Sequence, residues 1–176
     1  SYATKTSSLE QARQTILEET FKNVRRDVKT HYIYGETGTG KTRSVMDEYG
    51  YPNVYKITNY EHPFDGYNGE DIILFDEYRS SLPICDFLQY LDCYPCRLPA
   101  RYHDKVACYT KIFIISNISL DKQYQNIQIE QPQTYNALIR RIDEITKFEY
   151  NNNQLPFSNE NILKICESPC EYLLEI

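Results

Sequence analysis

At 176 residues, with 41% hydrophobic and 25% charged side chains, the chain can bury one core but is too short for two large domains. That composition excludes a disordered chain, and no apolar run approaches the roughly 18 residues of a membrane span. A net charge of −6 argues against a broad basic nucleic-acid-binding face, so any basic function must be local.

The opening "SYATKTSS" is polar, carries no charged-then-apolar leader, and the single methionine is Met46. These features lead us to expect a domain cut from a linker of a longer protein. Residues 7–29 place Leu9, Ala12, Ile16, Leu17, Phe21, Val24 and Val28 at three-to-four-residue steps, and Ser7 with Glu10 reads as a capping box, which predicts a helix. "HYIYG" (31–35) predicts a strand, followed by a helix from Lys41 toward Tyr49. Further strands are expected at 53–57 and 71–77, then a helix over 80–93 with Pro83 in its first turn. "KIFIISN" (111–117) has the continuous apolar character of a strand buried on both faces. A helix over 134–143 and a strand over 145–150 follow, and 151–176 is expected to be a loosely attached tail with a short helix. Alternating strands and helices specify an α/β fold with a parallel sheet flanked by helices.

Six cysteines, at 85, 93, 96, 108, 166 and 170, include a CxxC and a CxxxC. The wide separation of those two pairs disfavours a zinc site, and reduced thiols are expected.

The stretch "YGETGTGKTRS" contains Gly35, Gly40, Lys41 and Thr42 in the pattern G-x-x-x-x-G-K-[ST], between the strand and the helix that its mechanism requires. The backbone N–H groups of Gly35, Glu36, Thr37, Gly38, Thr39 and Gly40 are expected to form an anion nest in front of the helix N-terminus. Lys41 would neutralise the outer phosphates and the Thr42 hydroxyl would ligate Mg²⁺, so the loop reads as a nucleoside triphosphate site. "IILF" delivers Asp76 and Glu77 at its carboxyl end, where ligands sit in open α/β sheets. Asp76 is a candidate metal holder, and Glu77 a candidate base or orienter of water. Asn117 ends the next buried strand, where a neutral polar group can reach the γ-phosphate. Arg140 and Arg141 could act on a neighbour's γ-phosphate, although surface pairing is the commoner fate of such residues.

Taken together, these segments resemble the superfamily 3 helicase (ATPase) domain of Rep replication initiators from circular single-stranded DNA viruses and related rolling-circle plasmids. "GETGTGKT" is similar to Walker A, "IILFDE" to Walker B, "IFIISN" to motif C, and "YNALIRRI" to the arginine-bearing stretch that follows. The resemblance implies a P-loop NTPase core of AAA+-like type over 31–150, preceded by a helical oligomerisation segment within 1–30 and followed by the tail at 151–176. It also implies ATP and Mg²⁺ as cofactors, and a homo-oligomeric ring, expected as a hexamer, that translocates on single-stranded DNA. A DNA-contacting β-hairpin is implied in "CRLPARYHDKVACYTK", where Arg97, Arg101, Lys105 and Lys111 face only Asp104, with His103 and Tyr102 nearby.

"YHDK" has the Y-x-x-K spacing of a nicking tyrosine, but His31, His62 and His103 are isolated from one another, so nicking is not expected of this chain. The endonuclease domain is expected to precede residue 1. The location implied is intracellular: the host nucleus for a eukaryotic virus, or the cytoplasm for a bacterial plasmid. Two rivals remain at this level: a P-loop nucleotide kinase, and an ATP-binding assembly module that does not unwind DNA.

Overall fold

The computed structural model describes residues 1–151 and 161–176. A first helix, α1 (Tyr2–Phe21), is followed by β1 (Lys29–Gly35), α2 (Lys41–Tyr49), β2 (Val54–Ile57) and β3 (Ile72–Phe75). Next come α3 (Ile84–Tyr90) and a short pair of strands, β4 (Arg97–Leu98) and β5 (Lys105–Val106). The chain continues through β6 (Lys111–Ser116), α4 (Gln125–Glu130), α5 (Pro132–Arg140), β7 (Glu144–Tyr150) and β8 (Ile162–Glu167).

Six strands form one sheet in the order β2-β3-β6-β1-β7-β8, parallel except for β8. The α/β architecture expected from the sequence is therefore present, with β6 inserted between the strand that feeds the glycine loop and the strand that ends in Asp76. Side chains alternate faces along each strand. One face of β1, β3 and β6 gives Tyr32, Tyr34, Ile73, Phe75, Ile112 and Ile114 to a large cluster with residues of α3 and α5. The other face gives Ile33, Ile72, Leu74, Phe113 and Ile115, packed against Val45 and Met46 of α2. Burial on both faces explains why these strands read as continuous apolar runs.

The sequence misplaced both ends of the chain. Helix α1 starts at Tyr2 rather than near residue 7, and Ser1 accepts the Thr4 N–H, so the expected Ser7–Glu10 capping box does not form. The helix stops at Phe21, leaving Val24 and Val28 outside it, and none of its residues is buried. Leu17 and Phe21 lean on the core, while Leu9 and Ile16 remain mostly exposed. At the other end, where a loose tail with a short helix was expected, the short helical element is a 3₁₀ turn at Pro169–Tyr172, and Ile162–Glu167 forms a strand paired antiparallel with β7. The open edge of β7 supplies the unpaired backbone groups that draw this segment into the sheet; residues 152–160 lie outside the described residues.

What fixes the start of the core is Arg26, only 4% exposed. Its guanidinium donates to the carbonyls of Tyr109 (2.6 Å), Asp92 (3.1 Å) and Tyr94 (3.3 Å) and lies over the Tyr109 ring at 4.6 Å. Hydrogen bonds from a charged donor contribute about 1.5–3 kcal/mol each, so Arg26→Met is expected to lower unfolding stability by at least that much. Urea denaturation followed by circular dichroism measures it, and an unchanged midpoint would remove Arg26 as an anchor.

Candidate nucleotide site

The loop between β1 and α2 is built by glycines with different tasks. Gly35 has φ +149°, and a Cβ there would meet the Phe148 carbonyl oxygen at 2.1 Å, so no other residue fits between β1 and β7. Gly38 and Gly40 have φ +82° and +79°, the left-handed conformation that turns successive N–H groups toward one concavity. Gly40 caps α2 without a side chain, and the first turn carries no acidic residue. The helix therefore presents unpaired N–H donors and its positive end to the loop.

Lys41 lies 6% exposed inside this cradle. Its ammonium donates to the carbonyls of Gly35 (2.8 Å) and Glu36 (2.7 Å), with the Thr39 hydroxyl at 3.4 Å. Burial pulls its pKa below the usual lysine value, against the opposing effect of Asp76 and Glu36. Thr42 donates to Asp76 Oδ1 at 2.8 Å, which brings the two candidate metal holders together. This hydroxyl–carboxylate pair is a hard-oxygen donor set that fits a small divalent cation retaining some of its waters. The same Oδ1 accepts the Glu77 N–H at 3.1 Å, and the Tyr60 hydroxyl donates to the Asp76 carbonyl at 2.5 Å. Asp76 is thus held from three sides, whereas Glu77 is exposed and adopts φ +48°. Among the described residues Glu77 has no ion pair.

Parallel strands bring the remaining site residues to the same end of the sheet. The register pairs Tyr34 with Ser116, so Asn117 emerges beside the loop and is exposed there. Two contacts absent from the sequence reading brace the loop from the C-terminal side. Tyr150 donates to the Gly38 carbonyl at 2.8 Å, and Tyr34 donates to Glu167 of β8 at 2.5 Å. Single tyrosines carry no spacing signal, which is why the sequence did not reveal them.

The two arginines lie elsewhere. They end α5 just before β7, whose Glu144 pairs with His31 while Phe148 pairs with Gly35. Four residue steps, about 13 Å of strand, therefore separate their end of the sheet from the loop. Arg141 is engaged with Asp92 (3.3 Å) and with the Ala137 carbonyl (2.9 Å). Arg140 is exposed, with no ion pair among the described residues.

The segment 97–106 is a hairpin, with Arg97 opposite Val106 and Leu98 opposite Lys105. Tyr102, His103 and Asp104 are exposed in its tip. Two of its cations are already paired: Arg97 with Glu18 at 2.6 Å, and Arg101 with Asp65 at 2.5 Å. Arg101 holds the Asp65 carboxyl below the usual carboxylate range through its backbone and side-chain N–H donors. The sequence window counted only Asp104 as an opposing charge, because Glu18 and Asp65 come from distant segments. The placement of Lys111 within the hairpin is corrected. That residue starts β6 between Lys29 and Ile72, outside the hairpin, with its ammonium 5.0 Å from the Tyr49 ring centroid. All six cysteines are free thiols.

A parallel sheet with a lysine-bearing glycine loop at a helix N-terminus, facing an aspartate from the next strand but one, defines a P-loop NTPase-like α/β domain. Residues 31–118 match the family model described as RNA helicase. The chain belongs to that family and is a Rep-type superfamily 3 helicase-like domain. It is 32% identical over 121 residues to the replication-associated protein of Canary circovirus, covering 68% of this chain and 39% of that protein. It is 37% identical over 78 residues to the replication-associated protein of Beak and feather disease virus, covering 43% and 26%. With that of Porcine circovirus 1 it shares 26% identity over 157 residues, covering 88% and 49%. The chain thus spans less than half the length of each of these relatives.

Proposed function

We propose that this domain hydrolyses ATP and couples that hydrolysis to movement along single-stranded DNA, as part of a replication initiator. The observation that carries the reading is the meeting of Thr42 with Asp76 in front of the α2 N-terminus, beside the buried ammonium of Lys41. The loop N–H groups and Lys41 would bind the phosphates, the ammonium exchanging its contacts with Gly35 and Glu36 for phosphate oxygens. Thr42 and Asp76 would hold Mg²⁺, which when bound offsets charge on the phosphate oxygens. Glu77 would orient the attacking water and accept its proton, while Asn117 would hydrogen-bond the γ-phosphate without adding negative charge. Arg140, too far from its own loop, would serve the site of a neighbouring subunit. α1 would belong to the contact between subunits, with the ATPase core over 31–150.

The hairpin would grip DNA through Arg97, Arg101, His103 and Lys105, a set that suits phosphate contacts. The named relatives are replication-associated proteins of circoviruses, which supports the viral branch of the source expectation; the host nucleus is proposed on that branch.

The test is ATP turnover and particle size with and without single-stranded DNA, for the wild type, Lys41→Ala and Lys105→Ala. Wild-type turnover is expected to rise with DNA. Lys41→Ala is expected to bind nucleotide about 10- to 100-fold more weakly, the equivalent of one charge-assisted hydrogen bond. Lys105→Ala is expected to keep basal turnover and lose part of the DNA response. Turnover indifferent to Lys41→Ala would overturn the site, and phosphate transfer to a nucleoside monophosphate would make the domain a kinase instead. Nucleotide-dependent assembly without any DNA response would leave an assembly module.

A further inference from the structure

Beneath the site lies a side chain that touches none of the groups assigned to nucleotide binding or chemistry. Gln123, in the segment after β6, is 1% exposed. Its Oε1 accepts from the Ser80 N–H (2.6 Å) and the Ser80 hydroxyl (3.0 Å). Its Nε2 donates to the Tyr78 carbonyl (2.9 Å), with the Tyr32 hydroxyl at 3.0 Å and Ser116 Oγ at 3.2 Å. An amide is the one neutral side-chain group that supplies an acceptor and two donors from a single planar unit. An apolar residue of the same volume would leave several of these buried partners unsatisfied.

The partners of Gln123 flank the two residues read as acting on the water and the γ-phosphate. On one side is the turn 77–80, in which Glu77 and Ser80 are both left-handed at φ +48°. Non-glycine residues hold that conformation only when their surroundings enforce it. Enforcement here comes from Tyr78, whose N–H donates to the Ile115 carbonyl (2.8 Å) and whose carbonyl accepts from both Gln123 and the Ser116 hydroxyl (2.6 Å). On the other side is Asn117, bracketed by residues of the same network. Ser116 Oγ accepts the Ile118 N–H at 3.2 Å, and the Ile118 carbonyl accepts from Tyr32 at 2.6 Å. Tyr32 in turn sits against the Gln123 amide. The carboxylate turn and the asparagine turn therefore share one buried hub.

We propose that Gln123 is a positioning residue that sets Glu77 and Asn117 at a fixed separation, so that water and γ-phosphate are addressed together. The inference rests on the ATPase reading of the site. Misplacing a reacting group by about 1 Å costs on the order of 10²-fold in rate, while phosphate binding by the loop is independent of this hub.

Gln123→Glu tests it, because the carboxyl is nearly the same shape as the amide. Ionised, it accepts but cannot donate to the Tyr78 carbonyl; protonated, it regains one donor. At pH 8 the variant is expected to lose on the order of 10²-fold in kcat with KM within about threefold of wild type. Its kcat relative to wild type should rise steadily as pH falls from 8 to 6, following the fraction of carboxyl protonated, which burial at this position increases. Ser80→Ala, a change at an exposed position, should give a smaller kcat loss with unchanged KM even if Gln123→Glu folds poorly. Wild-type kcat in either folded variant, or losses of kcat and KM in parallel without pH recovery, would overturn the proposal. Hydrogen exchange separates this outcome from failure of the ATPase reading. Ser80→Ala should weaken amide protection at Tyr78 and Ile118 together whether or not the chain hydrolyses ATP, and loss at Tyr78 alone would refute the shared hub.

Discussion

Glu77→Gln is expected to bind nucleotide normally and hydrolyse it about 10²- to 10⁴-fold more slowly, the range over which a positioned general base contributes. The two acidic residues at the end of β3 have separate circumstances, and that is what makes the effect specific. Asp76 is 7% exposed and committed to Thr42 and to its own neighbour's N–H, so its lone pairs are already directed. Glu77 is exposed, turned by a left-handed backbone, and without an ion pair among the described residues, which leaves its carboxylate free for water. Glutamine keeps the shape and can still orient a water but cannot take its proton. Single-turnover hydrolysis together with equilibrium nucleotide binding separates the two effects. A variant hydrolysing within threefold of wild type would remove Glu77 from the chemistry.

Arg140→Ala is expected to lower turnover by about 10³-fold or more, the contribution of an arginine that stabilises phosphoryl-transfer charge. The same substitution at Arg141 should act mainly on folding, because that guanidinium is held by Asp92 and by its own helix. Arg140 stands at the end of the sheet opposite its own glycine loop, so on the proposed reading, in which it serves a neighbour's site, the defect is complementable. Mixing equal amounts of Arg140→Ala and Glu77→Gln chains, each inactive alone, should rebuild complete sites where the first chain supplies Glu77 and the second its arginine. Random assembly makes roughly a quarter of sites of that kind. An inactive mixture, with assembly intact, would show that Arg140 does not work across subunits.

The parts of this site legible in the sequence were those whose chemistry imposes spacing. Gly35, Gly40, Lys41 and Thr42 must stand at fixed offsets for a backbone nest to close, and Asp76 had to follow four apolar residues because its strand is buried on both faces. The central strands were legible for the same reason. What could not be read was whatever depends on which strand lies beside which. Tyr150 reaches Gly38, and Gln123 reaches Tyr78 and Ser80, only because the sheet order brings distant segments together. The pairing of Arg97 and Arg101 with Glu18 and Asp65 is of that kind too, and so is the capture of Ile162–Glu167 by β7. The length of α1 escaped because its residues are unburied, so the apolar stripe that normally marks a helix had no core to answer to.

The distance between the glycine loop and Arg140 also carries a consequence for symmetry. A site completed by the opposite end of the next subunit has two geometries: an isologous pair in which each loop meets the other chain's arginine, or a heterologous head-to-tail contact. A twofold dimer of the first kind completes both of its sites and stops at two chains, whereas contacts of the second kind continue from chain to chain. An open head-to-tail row always leaves one terminal glycine loop without its arginine, whereas closing the row into a ring leaves none. On the proposed reading with head-to-tail contacts, closure is the event that makes every subunit competent, and activity per subunit becomes a measure of how many assemblies have closed.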